Sequence, residues 1–205
     1  MKMAMAAAAA ASYLSSASAI FLYAALFFAG AHAEPEPTKV VTSEVPSTLP
    51  VCKTVGGGST FFDVQFCLEA LGSDGRSANA GTNYGTYSVI ATDLLTANAT
   101  STATKIDGLL RERAGNDDEA TTTRCLRSCR ALYGGVVRGQ PGCAAAVRGR
   151  RGGEATRCLE GAASAAKECE VGFGKTKVAS PVTMENDDAF KLAKLAVALL
   201  SWAHQ

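Results

Sequence analysis

Between Thr123 and Val137 (TRCLRSCRALYGGVV) the apolar positions fall in two adjacent rows, Cys125, Cys129, Leu132 and Val136 beside Leu126, Tyr133 and Val137. Spacings of three and four residues put such rows on one face of an α-helix, so the segment predicts a helix with that face buried. The same period recurs on either side. Upstream, from Ser77, it picks out Tyr84, Tyr87, Ala91, Leu94 and Leu95, then Ile106, Leu109 and Leu110. This predicts one long, bent helix, weakened by Gly81, Gly85 and the polar stretch TANATSTATK and ending at Gly115-Asn116-Asp117-Asp118. Downstream, Pro141-Gly142 interrupts the pattern, a continuation runs from Cys143 to Val147, and a basic, glycine-rich turn occupies residues 148–153. A fourth helix is expected from Glu154 to about Phe173, with Cys158, Ala162, Ala165, Cys169 and Phe173 along one stripe. Ser180-Pro181 then turns the chain. Thr183 is the expected cap of a last helix, with Asn186, Asp187 and Asp188 crowding its first turn and Phe190, Ala193, Val197 and Leu200 on its buried face. Ahead of all this, Cys52 and Cys67 bracket the turn Gly56-Gly57-Gly58-Ser59 and an apolar run (Phe61, Phe62, Val64, Phe66, Leu68, Leu71), a hairpin of short helical pieces that a bridge would close. Period-two alternation of β-branched residues is nearly absent. The pattern predicts an all-α, antiparallel up-down-up-down four-helix bundle with short connections and an N-terminal hairpin.

The first 50 residues follow another logic. Lys2 is the only charge before Glu34, and the apolar run from Ala19 to Ala29 (AIFLYAALFFA) ends in Ala31-His32-Ala33, the small-x-small pattern that signal peptidase accepts. The run is short for a bilayer span and no Lys/Arg cluster follows it. Residues 1–33 therefore read as a cleaved signal peptide, with no membrane association after cleavage. Residues 34–50 hold four prolines and read as an extended leader. Residues 51–205 form the helical domain.

Secretion changes the meaning of the seven cysteines, Cys52, Cys67, Cys125, Cys129, Cys143, Cys158 and Cys169. In an oxidising compartment they read as structural bridges. No C-x-x-C occurs and His204 is the one histidine after cleavage, which argues against a metal site, a dithiol redox site or a histidine-dependent triad. Neither a G-x-S-x-G elbow nor a phosphate loop is present, so no catalytic residue and no cofactor is assigned. Lys and Arg number 20 against 19 Asp and Glu, a balance that offers no footprint for nucleic acid or an anionic membrane. Asn98-Ala99-Thr100 is the single N-glycosylation sequon.

Several motifs together carry a family resemblance. Leu71-Gly72-Ser73-Asp74 follows the cysteine-flanked aromatic hairpin. Cys129-Arg130-Ala131-Leu132-Tyr133 matches a C-x-x-L-Y signature, and the run from Ala162 to Phe173 (AASAAKECEVGF) is similar to an "S-A-A…C-E-D-G-F" segment. Ser180-Pro181-Val182-Thr183-Met184-Glu185-Asn186 closes the match. In order and spacing these resemble the plant invertase and pectin methylesterase inhibitor family, most closely its pollen-allergen-like invertase-inhibitor branch. The resemblance implies a helical hairpin beside a four-helix bundle, disulfides Cys52–Cys67 and Cys129–Cys169, and a non-enzymatic protein. Its partner would be a cell-wall or vacuolar acid invertase, or alternatively a pectin methylesterase. A secreted allergen-like protein without inhibitory activity is the third reading. Localisation follows as apoplast or cell wall, with the vacuole as an alternative. Some cell-wall invertase inhibitors present a Pro-Lys-Phe tripeptide between the third and fourth family cysteines. Here residues 148–153 occupy the comparable turn, and Arg148, Arg150 and Arg151 are the candidate target-binding residues, suited to an acidic glycosidase cleft.

With Cys129–Cys169 as the reference level of two antiparallel helices, a second rung can be placed. Cys143 lies two heptads beyond Cys129, and Cys158 about three turns before Cys169, both nearly in register with the first rung. The steps differ by about 4.5 Å of rise, which a kink at Pro141-Gly142 would absorb. This predicts Cys143–Cys158 and leaves Cys125 as a buried thiol. The competing assignment pairs Cys125 with Cys169 after a one-turn slip.

Overall fold

The computed structural model describes residues 48–113 and 120–205. The expected signal peptide, most of the leader, and the turn at Gly115-Asn116-Asp117-Asp118 lie outside the described residues. Within them the secondary structure is helical throughout: α1 (Leu49–Gly56), α2 (Val64–Gly72), a short 3₁₀ turn (Gly75–Asn79), α3 (Tyr84–Glu112), α4 (Ala120–Arg148), α5 (Gly152–Thr176) and α6 (Thr183–Ala203). The four long helices form the bundle, each packed on two neighbours in the cycle α3, α4, α5, α6, while the α1–α2 hairpin lies against α3 and α6.

The hairpin comes from local chemistry. Asp63 caps α2 by accepting a hydrogen bond from the Phe66 amide at 2.7 Å. Gly56 ends α1 where a Cβ would lie 3.1 Å from the backbone of Val64, so the two short helices meet there in close backbone contact. Cys52 and Cys67, both fully buried, join them through a disulfide with Cα atoms 5.6 Å apart.

Four details differ from the sequence pattern. The helical spacing that begins at Ser77 splits, because Asp74 and Asn83 each cap separate elements. The Asp74 carboxylate accepts from the Arg76 amide at 2.9 Å, and Asn83 accepts from the Thr86 amide at 3.0 Å. The polar middle of α3 does not weaken it. Thr92, Thr96, Thr100, Thr102 and Thr104 return their hydroxyls to the carbonyl four residues back, at 2.7–3.0 Å, which lets threonine sit in a helix without an unpaired polar group.

Pro141 does not interrupt α4, which runs unbroken to Arg148. Pro141 and Gly142 lie on the exposed side of α4, and the proline costs one helical bond, the one its N–H would have given to the Val137 carbonyl. Finally, Thr183 is the first residue of α6 rather than its cap. Its hydroxyl donates to Glu170 Oε1 at 2.7 Å, and the N-terminal position is filled by buried Val182.

The core is built from Leu95, Ile106, Leu126, Leu159, Phe173, Leu195 and Leu199, all fully or almost fully buried. Alanines of α5 (Ala162, Ala163, Ala166) and α6 (Ala189, Ala193, Ala196) are buried in the same core, and such small side chains let long helices approach closely. Two disulfides tie α4 to α5. Cys129–Cys169 has its Cα atoms 4.8 Å apart, and Cys143–Cys158 5.7 Å. Cys125 is a free, buried thiol whose sulfur lies 3.6 Å from the Gly172 carbonyl and 3.5 Å from Thr176 Oγ1.

Candidate target-binding surface at the basic turn

The α4–α5 connection is tighter than the run of glycines and arginines suggests. Arg148 belongs to the last turn of α4, and Gly152 and Gly153 open α5. Three backbone bonds make the reversal: Gly149 N–H to Ala145 at 2.9 Å, Arg150 N–H to Val147 at 3.1 Å, and Arg151 N–H to Ala146 at 2.9 Å. The last two are the paired bonds of a Schellman helix end, which needs one residue in the left-handed region. That residue is Arg150, with φ +53°. Glycine is the usual occupant, and an L-residue costs about 1 kcal/mol there. Gly152 is in close contact with another element: a Cβ on it would stand 3.0 Å from His204 Nε2, which places the end of α6 beside the start of α5.

The three arginines are not equivalent. Arg148 Nη2 donates to Asp93 Oδ1 on α3 at 2.8 Å. The other oxygen of Asp93 accepts from Arg76 Nη1 at 2.8 Å, and Arg76 also pairs with Asp74 at 2.7 Å. This chain of alternating charges fastens the α4 terminus and the 3₁₀ turn to the same point on α3. Hydrogen bonding from the Arg76 side chain holds the Asp74 carboxyl well below its ordinary range, at about 2. Arg151 Nε reaches Glu154 Oε2 at 2.7 Å and so is occupied on its own helix. Arg150 makes no ion pair among the described residues. It borders instead a cavity of about 240 Å³ together with Asn83, Tyr84, Val147, Trp202 and His204. Tyr84 and Trp202 stack there, ring centroids 5.8 Å apart and planes 24° from parallel. Sequence reasoning missed this neighbourhood because Tyr84, Arg150 and Trp202 sit on three elements far apart in the chain. The one usable signal was Trp202, the sole tryptophan, placed at the polar end of the last helix.

The opposite end of the bundle holds a buried polar chain. The Tyr133 hydroxyl donates to Asn186 Oδ1 at 2.8 Å, and Asn186 Nδ2 donates to Glu170 Oε2 at 2.7 Å. Burial, followed by the charge of Glu185, pushes the Tyr133 phenol far above its ordinary value, so it acts only as a neutral donor. Its neighbours are structural: Tyr133 belongs to the C-x-x-L-Y motif and Asn186 to the S-P-V-T-M-E-N motif, and the hydrogen bond is what joins the two. Beside Glu170 and Asn186 a shallow groove of about 480 Å³ runs between α5 and α6, bordered by Met184 and Phe190.

Asn98, the glycosylation candidate, lies in mid-α3, half-buried at a groove formed with Phe66, Leu94 and Leu192. Among the described residues, no group of three or more His, Cys, Asp or Glu side chains is placed to hold a metal ion. No helix among them is long and apolar enough to cross a membrane.

The described residues thus form a four-helix bundle with a disulfide-closed helical hairpin and a charged turn at one end. Residues 51–199 match the plant invertase/pectin methylesterase inhibitor family, and the chain belongs to that family. A curated relative from Platanus orientalis, named "Putative invertase inhibitor", is 26% identical over 149 residues, spanning 72% of this chain and 84% of its own length.

Proposed function

We propose that this protein is a secreted inhibitor that binds and blocks a plant acid invertase. The observation that carries the reading is the family match over residues 51–199, with the disulfides, hairpin and bundle in place across that span. The relative's name favours invertase over pectin methylesterase as the target. Pectin methylesterase is the second reading, since the family description covers both enzymes. The protein acts by occlusion and performs no chemistry of its own. Residues 1–33 serve as a signal peptide, residues 34–50 as a leader, and the domain works in the apoplast or, alternatively, the vacuole. Target contact is made through the turn carrying Arg148, Arg150 and Arg151, where a cationic, exposed loop suits a cleft of catalytic carboxylates.

The test is to titrate the purified protein against acid invertase and pectin methylesterase in parallel at about pH 5, close to the ordinary carboxylate range. Stoichiometric loss of invertase activity with pectin methylesterase untouched supports the proposal. The reverse result moves the assignment to the second target. If neither enzyme responds, the protein is not an inhibitor of this kind.

A further inference from the structure

The cavity beside the basic turn has the makings of a small-molecule site, one that shares Arg150 with the proposed target-binding turn. It is small enough for one ring, and its lining combines three chemistries. Tyr84 and Trp202 form a stacked aromatic wall, with Trp202 41% exposed at its edge. Val147 and Leu200, both buried, supply an apolar floor. Arg150 supplies a cation with no carboxylate partner among the described residues, whereas its neighbours Arg148 and Arg151 are both paired. The backbone adds a further observation. Arg150 sits at φ +53°, the left-handed position of a helix end where glycine is the relaxed choice, while Gly149 beside it avoids that region.

From this geometry we infer that the pocket formed by Tyr84, Arg150, Trp202 and His204 binds a sugar acid, a pyranose ring bearing a carboxylate. The carboxylate pairs with the Arg150 guanidinium in a charge-assisted, two-pronged contact. The ring's C–H face lies against the Tyr84–Trp202 wall. Its hydroxyls meet polar groups with capacity to spare among the described residues: the Asn83 side-chain NH2, whose neighbouring oxygen accepts from the Thr86 amide at 3.0 Å, the Thr82 hydroxyl and the His204 imidazole. These polar groups decide between ligand classes. An aromatic acid would satisfy the arginine and the aromatic wall but offer no hydroxyls to the exposed Asn83 amide and His204 imidazole. A neutral sugar would satisfy the hydroxyl partners and leave the cation unmatched.

Trp202 is the only tryptophan in the chain, so its fluorescence and its indole N–H resonance report this pocket alone. The experiment titrates the isotopically labelled protein, without any target enzyme, with sodium D-galacturonate, D-galactose, sodium benzoate and sodium acetate at matched ionic strength. A saturable shift of the Trp202 signal with D-galacturonate is expected, at a concentration at least about tenfold lower than for galactose, since the charged contact is worth roughly that factor or more. Arg150→Gly relaxes the backbone and removes the charge. It should retain the helical circular dichroism and lose the galacturonate response. The inference is overturned by any of three results: no saturable response to galacturonate, a response to galactose, benzoate or acetate at equal or lower concentration, or full retention of galacturonate binding by Arg150→Gly. Because no enzyme is present, the outcome is independent of whether the protein inhibits invertase.

Discussion

Asp74 shows how a single side chain sets a condition for this fold. Its carboxylate caps the 3₁₀ turn and takes two further bonds from the Arg76 guanidinium, at 2.9 and 2.7 Å. The Arg76 hydrogen bonds depress its folded pKa to about 2, against an unfolded value near the ordinary 3.8. A depressed acid stabilises the folded state above its unfolded pKa, and that contribution is lost as pH falls from about 4 through about 2. The clamp is therefore complete at the mildly acidic pH of the proposed assay. Asp74→Asn should melt at a lower temperature than wild type at pH 5, with the difference closing towards pH 2. A gap that stays constant from pH 5 to pH 2 would show that the charge is irrelevant and only the cap matters.

Asn98 belongs to the same scale. As the single sequon it is proposed as the glycan site, although its Oδ1 faces the Thr102 hydroxyl at 3.5 Å and its side chain edges a groove. Protein secreted from plant cells should lose mass on glycosidase treatment, and Asn98→Gln should abolish that loss. An unmodified Asn98 peptide in the mass spectrum refutes the site. The sequence identified Asn98 as a sequon and Asp74 only as a member of the Leu71–Asp74 motif; the cap and the Arg76 pairing of Asp74 emerge from the folded turn.

At the scale of elements, the hydrophobic period was the dependable signal, and its exceptions have physical causes. The rows through Cys129 and Tyr133, and those through Ala162, Cys169 and Phe173, do face the core, because burial of an apolar stripe is a long-range constraint that every turn repeats. The reading of α3 and α4 went astray where local residue preferences oppose that constraint. Threonine and proline are poor in helix interiors, yet five threonines of α3 pair with their own backbone, and Pro141 sits on the exposed side of α4 at the cost of one helical bond, to the Val137 carbonyl. Pro141 thus marks a latent weakness rather than a boundary. Pro141→Ala restores the missing bond and should stabilise the protein by about 1–3 kcal/mol, visible as a higher midpoint in urea with the slope unchanged. Removal of the nearby Cys143–Cys158 rung acts in the opposite sense. It closes a loop of sequence separation 15, for which the chain-entropy model gives about 3 kcal/mol. The Cys143→Ser/Cys158→Ser pair should lower the urea midpoint accordingly while Cys129–Cys169 holds the helices in register. An unchanged midpoint would mean that the second rung adds nothing to the first.

For the whole molecule, what matters is how the two ends of the bundle differ. One end is closed by the buried Tyr133–Asn186–Glu170 chain, while the other presents the basic turn, with two of its three arginines already neutralised by Asp93 and Glu154. The sequence located this turn and named its arginines, but composition cannot rank three similar cations. Their partners lie on α3 and α5, and only the folded arrangement brings them together. That ranking yields the strongest test of the proposed interface. An arginine that must first leave a carboxylate contributes its new contact minus the old one, whereas Arg150 brings its full charge to a partner. Arg150→Ala should therefore raise the inhibition constant by about tenfold or more, the scale of one charge-assisted hydrogen bond. Arg151→Ala should change it by a few-fold at most, and the double variant should resemble Arg150→Ala. All three should keep the wild-type helical circular dichroism, since neither side chain enters the core. Measured side by side at low and high salt, the Arg150 effect should shrink as ionic strength rises, as expected of an exposed charge steering towards an acidic cleft. If the double variant inhibits as well as wild type at every salt concentration, the turn only connects two helices and the target binds elsewhere on the bundle.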